Sequence, residues 1–416
     1  MSTDAETGAR PEEAPVTGMA RYLRLAATPG AVPMSLAALV GRLPSGMAGL
    51  LLVTGFVQNN GSYAQAGVAA ACYAVGVGVS GPLRGRAVDR RGARGVLLVS
   101  GIGQAVVFLG LLAALSGGAP TIVPLVLSFL VGAVLPPIGP IMRTMWSRTL
   151  TDPGLRSAAF ALESIIVDAV FIVGPSIVAL LLAVANSSVA IAVTAAFTAV
   201  GCVALAGAPA IGALRPTEGA ARDWRGPLRA APVRWMLPVG LLATGSITGV
   251  EVALLATADA QGHADVGGLL IAAFSVGSVF GGFAYGAVKL RGTSAQHLGL
   301  FLAVLAAGYA VAVAVSNLWG LALVFAVAGV ALAPMITAQY TAMEEVAPED
   351  SMTESFAWLN ALGQGGGALA ATAAGALASG GHPGGGFLVA AGMSVVAALL
   401  TTALRRPAAP APQAAA

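Results

Sequence analysis

The chain has 416 residues, 57% of them hydrophobic and only 9% charged, with a formal net charge of +3. A soluble domain carries about 25% charged residues, so this composition excludes a water-facing surface over most of the molecule and points to lipid. So small a net charge gives no basic footprint for nucleic acid. The two cysteines, Cys72 and Cys202, sit in apolar runs and form no disulfide framework.

Residues 1–30 read as a cytoplasmic N-terminal segment. Asp4, Glu6, Glu12 and Glu13 stand where a cleavable signal would be basic, and Pro11, Pro15 and Pro29 interrupt any helix. Arg21, Tyr22 and Arg24 are expected to form a short surface turn leading into the first span. A helix needs about 20 apolar residues to cross a bilayer. Segmenting at charges, prolines and glycine-rich turns predicts twelve spans, at 33–56, 65–83, 95–117, 121–142, 157–182, 186–212, 235–257, 266–287, 297–316, 319–341, 354–378 and 386–404. The fold class is therefore all-α integral membrane. An N-terminal six-helix bundle is expected over 31–212, a cytoplasmic linker over 213–234, a C-terminal six-helix bundle over 235–404 and a disordered Pro/Ala tail over 405–416.

Orientation follows from the positive-inside rule. Of the 21 basic residues, 20 fall before span one, in the even-numbered connections or after span twelve, and Arg42 alone lies inside a span. Both termini are thus expected on the cytoplasmic side of a multi-pass protein of the inner, cytoplasmic membrane. The halves also repeat. A shift of 201 residues places Gly67, Gly76, Gly81 and Gly85 on Gly268, Gly277, Gly282 and Gly286, and Tyr73 on Phe274; a shift of 197 places Pro137 on Pro334. Six helices per unit make such repeats parallel, with a substrate site expected between them.

The connection after span two reads Gly81-Pro82-Leu83-Arg84-Gly85-Arg86-Ala87-Val88-Asp89-Arg90-Arg91-Gly92-Ala93-Arg94. It resembles the loop signature G-x-x-x-D-R-x-G-x-R of the major facilitator superfamily, with Gly85, Asp89, Arg90, Gly92 and Arg94 matching, between the two spans where that family carries it. Over about residues 30–405 the resemblance implies two pseudo-symmetric six-helix bundles and secondary transport by alternating access. The second copy, Gly286 to Gly292, has Leu290 in place of the Asp. Physically, Gly85 permits close approach of a neighbouring helix, Gly92 permits a tight turn, and Asp89 suits a helix N-terminus. The connection between spans ten and eleven carries Glu344, Glu345, Glu349, Asp350 and Glu354 and no basic residue. Within it Ser351-Met352-Thr353-Glu354 has the spacing of a capping box that would start span eleven. One reading is a cytoplasmic latch, with Glu349, Asp350 and Glu354 set against the arginine-rich loop; the other is two unrelated solvated loops.

Four ionisable residues fall within spans: Arg42, Glu163, Asp168 and Glu251. A charge at the bilayer centre costs about 2.5–3.5 kcal/mol even on lenient scales and marks ion or substrate chemistry. Glu163 and Asp168 are five apart and so diverge by about 140° on a helix. Arg42 is expected to pair with one of them. Asp168 and Glu251 are the candidates for proton coupling, since burial favours a carboxyl group that takes up a proton; interhelical hydrogen bonding or contact with a cationic substrate is the alternative. In span five only Gly174 and Pro175 match the glycine-rich stretch, ending in Gly-Pro, that marks exporters in the resembled family, and the glycines that should surround them are missing. Gln339, Tyr340, Trp358, Asn360 and Gln364 could line a cavity, or simply pack.

His263, His297 and His382 have no spaced partners, so no metal site is expected, and no G-x-x-x-x-G-K-[ST] loop suggests ATP. The reading is of a proton-coupled exporter of a small amphipathic molecule (a drug or metabolite), functional as a monomer, with the proton as coupling ion, no other cofactor and no enzymatic activity. An uptake permease for a sugar or similar nutrient is the alternative. A polytopic membrane enzyme is more remote, because the acidic connection lacks catalytic spacing.

Overall fold

The structure, a computed structural model, describes residues 19–60, 63–214, 225–263, 266–287 and 290–404. The 405–416 tail, residues 1–18 and residues 215–224 of the linker lie outside the described residues. These fold into helices α1 (Met19–Ala27), α2 (Ala31–Asn60), α3 (Tyr63–Arg91), α4 (Ala93–Ser116), α5 (Ile122–Ala133), α6 (Ile138–Thr149), α7 (Pro153–Val184), α8 (Ser187–Gly207), α9 (Pro209–Gly212), α10 (Ala231–Ala260), α11 (Gly267–Ala287), α12 (Ser294–Val313), α13 (Leu318–Gly329), α14 (Leu332–Val346), α15 (Met352–Ser379) and α16 (Gly385–Leu404). Eleven candidate spans among the described residues are long and apolar enough to cross a membrane. The twelfth long helix, α15, has 28 residues, and its glycines, alanines and polar side chains dilute its hydropathy.

The fourth and tenth spans are each two helices in line, α5 with α6 and α13 with α14. Both breaks sit at proline: Pro137 caps α6, and Pro334 lies in the first turn of α14. A proline in those places costs little because its missing N–H would be an orphan anyway. The packing repeats as well. Helix α2 packs on α8 as α10 does on α16, α4 on α8 as α12 on α16, α3 on α5 as α11 on α13, and α2 on α7 as α10 on α15. Glycines permit the close crossings. A methyl at Gly76 would overlap the Phe129 carbonyl and one at Gly132 the Tyr73 carbonyl; in the second half Gly277 meets Ala326 and Gly329 meets Phe274 in the same way. The Gly76–Gly277 and Tyr73–Phe274 correspondences are therefore structural, one contact built twice.

Three expectations need correction. Residues 19–27 form a helix, not a surface turn: Tyr22 and Leu25 are three apart on one face, so Leu25 is buried and the Tyr22 ring meets Phe283 edge-on at 5.4 Å. The segment after span two is helical through Arg91, and the turn is confined to Gly92 at φ 86°. Arginines at a helix C-terminus favour that extension electrostatically. Finally, Arg143 does not lie in a connection. Helix α6 continues to Thr149 and holds Arg143 inside the protein, 3% exposed.

Candidate functional site

The two halves meet through helices that end at the arginine-rich face, here called the basic end. Helix α15 starts there and packs against α3 of the other half. Its first-turn N–H groups have no intrahelical acceptors, and Asp89 supplies them: Asp89 Oδ1 accepts from the Thr353 N–H at 3.2 Å and Oδ2 from the Glu354 N–H at 2.8 Å. The expected capping box is accordingly not formed. Ser351 at the N-cap makes no side-chain cap bond and donates instead to Asp350 at 3.2 Å. Glu354 turns away to Arg86, which holds it in a two-pronged grip, Nε to Oε2 at 2.9 Å and Nη2 to Oε1 at 2.6 Å.

Further contacts fasten the same layer. Arg229 grips Asp350 at 2.5 and 2.6 Å, Arg148 donates to the Glu349 carbonyl at 3.0 Å, and Arg156 pairs with Glu344 at 2.5 Å. The Thr144 and Thr353 hydroxyls stand 3.0 Å apart, and the Phe160 and Phe356 rings meet edge-on. Exposed pairs such as Arg229–Asp350 contribute little singly. The buried, charge-assisted bonds of Asp89 weigh more. Gly85 makes room for this contact. A methyl there would stand 2.7 Å from Ala357 Cβ, 2.8 Å from Glu354 Cα and 3.0 Å from the Thr353 carbonyl. Backbone atoms yield little, so Gly85→Leu is expected to disfavour closure at the basic end while leaving each half folded. The rate at which a Thr144→Cys variant reacts with maleimide would rise tenfold or so, on roughly 1–3 kcal/mol of overpacking.

One to two turns deeper lies a buried polar cluster. Arg42 Nη2 donates to Glu163 Oε2, and the Trp146 indole donates to Glu163 Oε1 at 3.3 Å. Arg42 and Glu163 are 7% and 1% exposed. Arg143 spreads its guanidinium over the Tyr340 ring, 3.5 Å from the centroid, and so reaches across to the other half. Tyr340 in turn donates to Asn360 Oδ1 at 2.7 Å. Deeper again are Asp168, about 22 Å along α7 at 1.5 Å per residue, and Glu251 on α10. They belong to different halves, lie within electrostatic reach of one another, and are both half-buried.

The profile of the Major Facilitator Superfamily matches residues 34–288 and 236–416. The chain belongs to the Major Facilitator Superfamily, and it is a transporter. Solved structures agree on the fold. A bacterial homologue of the iron transporter ferroportin, outward-facing with soaked iron, is 13% identical, with 90% of this chain and 99% of that one covered at a TM-score of 0.73. The human organic anion transporter MFSD10 (TETRAN) is 16% identical over 90% and 100% at 0.69. The proton:xylose symporter XylE, bound to 6-bromo-6-deoxy-D-glucose, is 15% identical over 89% and 95% at 0.66. No curated protein matches the chain.

Within this facilitator the remaining candidates divide. Arg90 and Arg94 are exposed, and Gly92 takes the turn. Arg42 pairs with Glu163, while Asp168 faces elsewhere as their angular separation requires. Gly174 packs on Gly46 of α2, and α7 runs through Pro175 unbroken. Trp358 donates to Glu354 at 3.4 Å and so belongs to the basic-end contact. Gln339 is buried beside Gly240 of α10, and Gln364 is exposed one turn beyond Asn360. Sequence reasoning misses three participants. Arg143 is hidden because segmentation ends a span at its first charge, although Met142, Met145 and Trp146 flank it with apolar bulk. Arg86 and Arg229 are hidden among many arginines, although the acidic connection opposite implies that some of them are engaged.

Proposed function

We propose that this transporter exports a small amphipathic molecule from the cytoplasm in exchange for protons, with the basic end cytoplasmic and closed here. The observation that carries the reading is the placement of Asp168 and Glu251, one on each half, half-buried in mid-span and within electrostatic reach of one another. Two carboxylates so placed repel when both are ionised. Proton uptake by one relaxes that repulsion and favours approach of the halves, which ties protonation to the rocking motion. The Gly174-Pro175 end of span five is consistent with export. Neighbours in fold include a proton:xylose symporter, and the amides of Asn360 and Gln364 would suit a sugar, so uptake of a small nutrient is the second reading.

The test is proton flux in everted vesicles, read with a pH-sensitive dye against a panel of amphipaths and sugars. Amphipaths are expected to dissipate the gradient with the wild type, and flux is expected to fall at least tenfold with Asp168→Asn or Glu251→Gln. If only sugars act, the uptake reading replaces export. Full coupling retained in both variants would remove these carboxylates from the mechanism.

A further inference from the structure

We propose that the cluster below the carboxylates is a binding site for an anion, and that the transported molecule is an organic acid held there by its carboxylate. The inference rests on the reading that substrate passes between the halves.

Arg143 has Arg42 and Glu163 within electrostatic reach, two guanidiniums to one carboxylate, all three more than nine-tenths buried. A buried charge without compensation is costly, and Glu163 is already engaged by Arg42 and Trp146. The π face of Tyr340 offsets only part of what Arg143 needs. Arg42 Nε and Nη1 and Arg143 Nε are buried N–H groups with no partner among the described residues. Each would recover the cost of burial by donating to an anion.

Geometry gives the place. A methyl built on Gly139 of α6 would stand 3.1 Å from Arg143 Nη1, 3.9 Å from Asn360 Nδ2 and 4.0 Å from Arg42 Nη2. Donor nitrogens from three helices and both halves, two of them on the guanidiniums that carry the unpartnered N–H groups, thus lie within 4.0 Å of one point beside Gly139. The Asn360 amide is aimed there by Tyr340, whose hydroxyl holds Asn360 Oδ1 and leaves the NH2 group facing that point. Paired planar donors of this kind suit a carboxylate, which accepts through two oxygens. Because Arg143 belongs to one half and Tyr340 and Asn360 to the other, an anion bound here would sense their separation.

The experiment is equilibrium binding to purified protein in nanodiscs, with no proton gradient. Thermal shift and tryptophan emission (Trp146 and Trp358 lie close) would be read against benzoate, octanoate and succinate, each beside its neutral amide, at matched ionic strength. Carboxylates are expected to raise Tm in the wild type and amides not to. Gly139→Ala, which alters no charge and places a methyl 3.1 Å from Arg143 Nη1, is expected to weaken carboxylate binding at least tenfold, with any small change in the unliganded Tm measured alongside. Arg143→Gln should abolish binding and Arg143→Lys should retain part of it. Amides binding as well as acids, no acid in the panel binding, or binding that survives both Gly139→Ala and Arg143→Gln would overturn the proposal. Asp168→Asn is expected to bind carboxylates normally, so loss of proton coupling and loss of the anion site are told apart.

Discussion

Replacing Glu163 by Gln is expected to destabilise the protein by about 3–5 kcal/mol, the cost of removing one partner from a buried ion pair. The reason is specific to this cluster. Arg42 would lose its carboxylate and compete with Trp146 for one neutral amide oxygen, its Nε and Nη1 already have no partner among the described residues, and Arg143 would remain nearby as a second buried positive charge. The Trp146 indole would lose its carboxylate as well, keeping only the amide oxygen. The double replacement Arg42→Met with Glu163→Leu removes both charges and keeps the volume, so it should recover most of the stability. Thermal unfolding of the three proteins in one detergent checks this. A Glu163→Gln protein as stable as wild type would show that the pair is not the buried structural element described here.

Asp89→Asn is the second large effect, and it falls on the conformational equilibrium rather than on folding. Asp89 is on α3, but the N–H groups it satisfies are on α15 of the other half, so its charge stabilises only the state in which the basic end is closed. A carboxylate at a helix N-terminus in a partly buried setting is worth up to about 2 kcal/mol. Losing 1–2 kcal/mol shifts the closed-to-open ratio by a factor of about 5–30. Thr144 is 2% exposed in the closed state and faces Thr353, so a Thr144→Cys variant reports opening. Its reaction with maleimide is expected to quicken by that factor in the Asp89→Asn background, with little change in Tm. An unchanged rate would show that the closed state is held without Asp89.

Much of the fold can be read from the sequence because the bilayer permits so few solutions. Twelve apolar stretches have to be helices, and glycines recurring at a fixed shift imply that the same crossings are made twice. That Arg42 meets an acid of span five is also legible, since opposite charges have few other partners in lipid, and the structure selects Glu163 over Asp168. What sequence leaves open is which of several like residues is used. Five arginines follow span two, and only the geometry of the α3 end selects Arg86 for Glu354. The local Ser351-to-Glu354 pattern is a sound capping signal, overridden because a stronger, charged cap arrives from the other half. Arg143 escapes notice for a different reason: a charge is taken as the end of a span, although a guanidinium can stay inside when an aromatic ring and neighbouring charges receive it.

In the proposed mechanism, closure of the basic end and protonation of the mid-span carboxylates are one coupled equilibrium. Distances between paired spin labels test it most directly. One pair, Gly95→Cys with Glu349→Cys, spans the basic end; the other, Ser116→Cys with Ser379→Cys, spans the far end, all at exposed positions and with Cys72 replaced by Ser. On lowering the pH the two distances are expected to change in opposite directions, one end closing as the other opens. That response should be absent from the protein carrying Asp168→Asn and Glu251→Gln together. Distances that ignore pH, ends that move in the same sense, or a response that survives loss of both carboxylates would contradict the account.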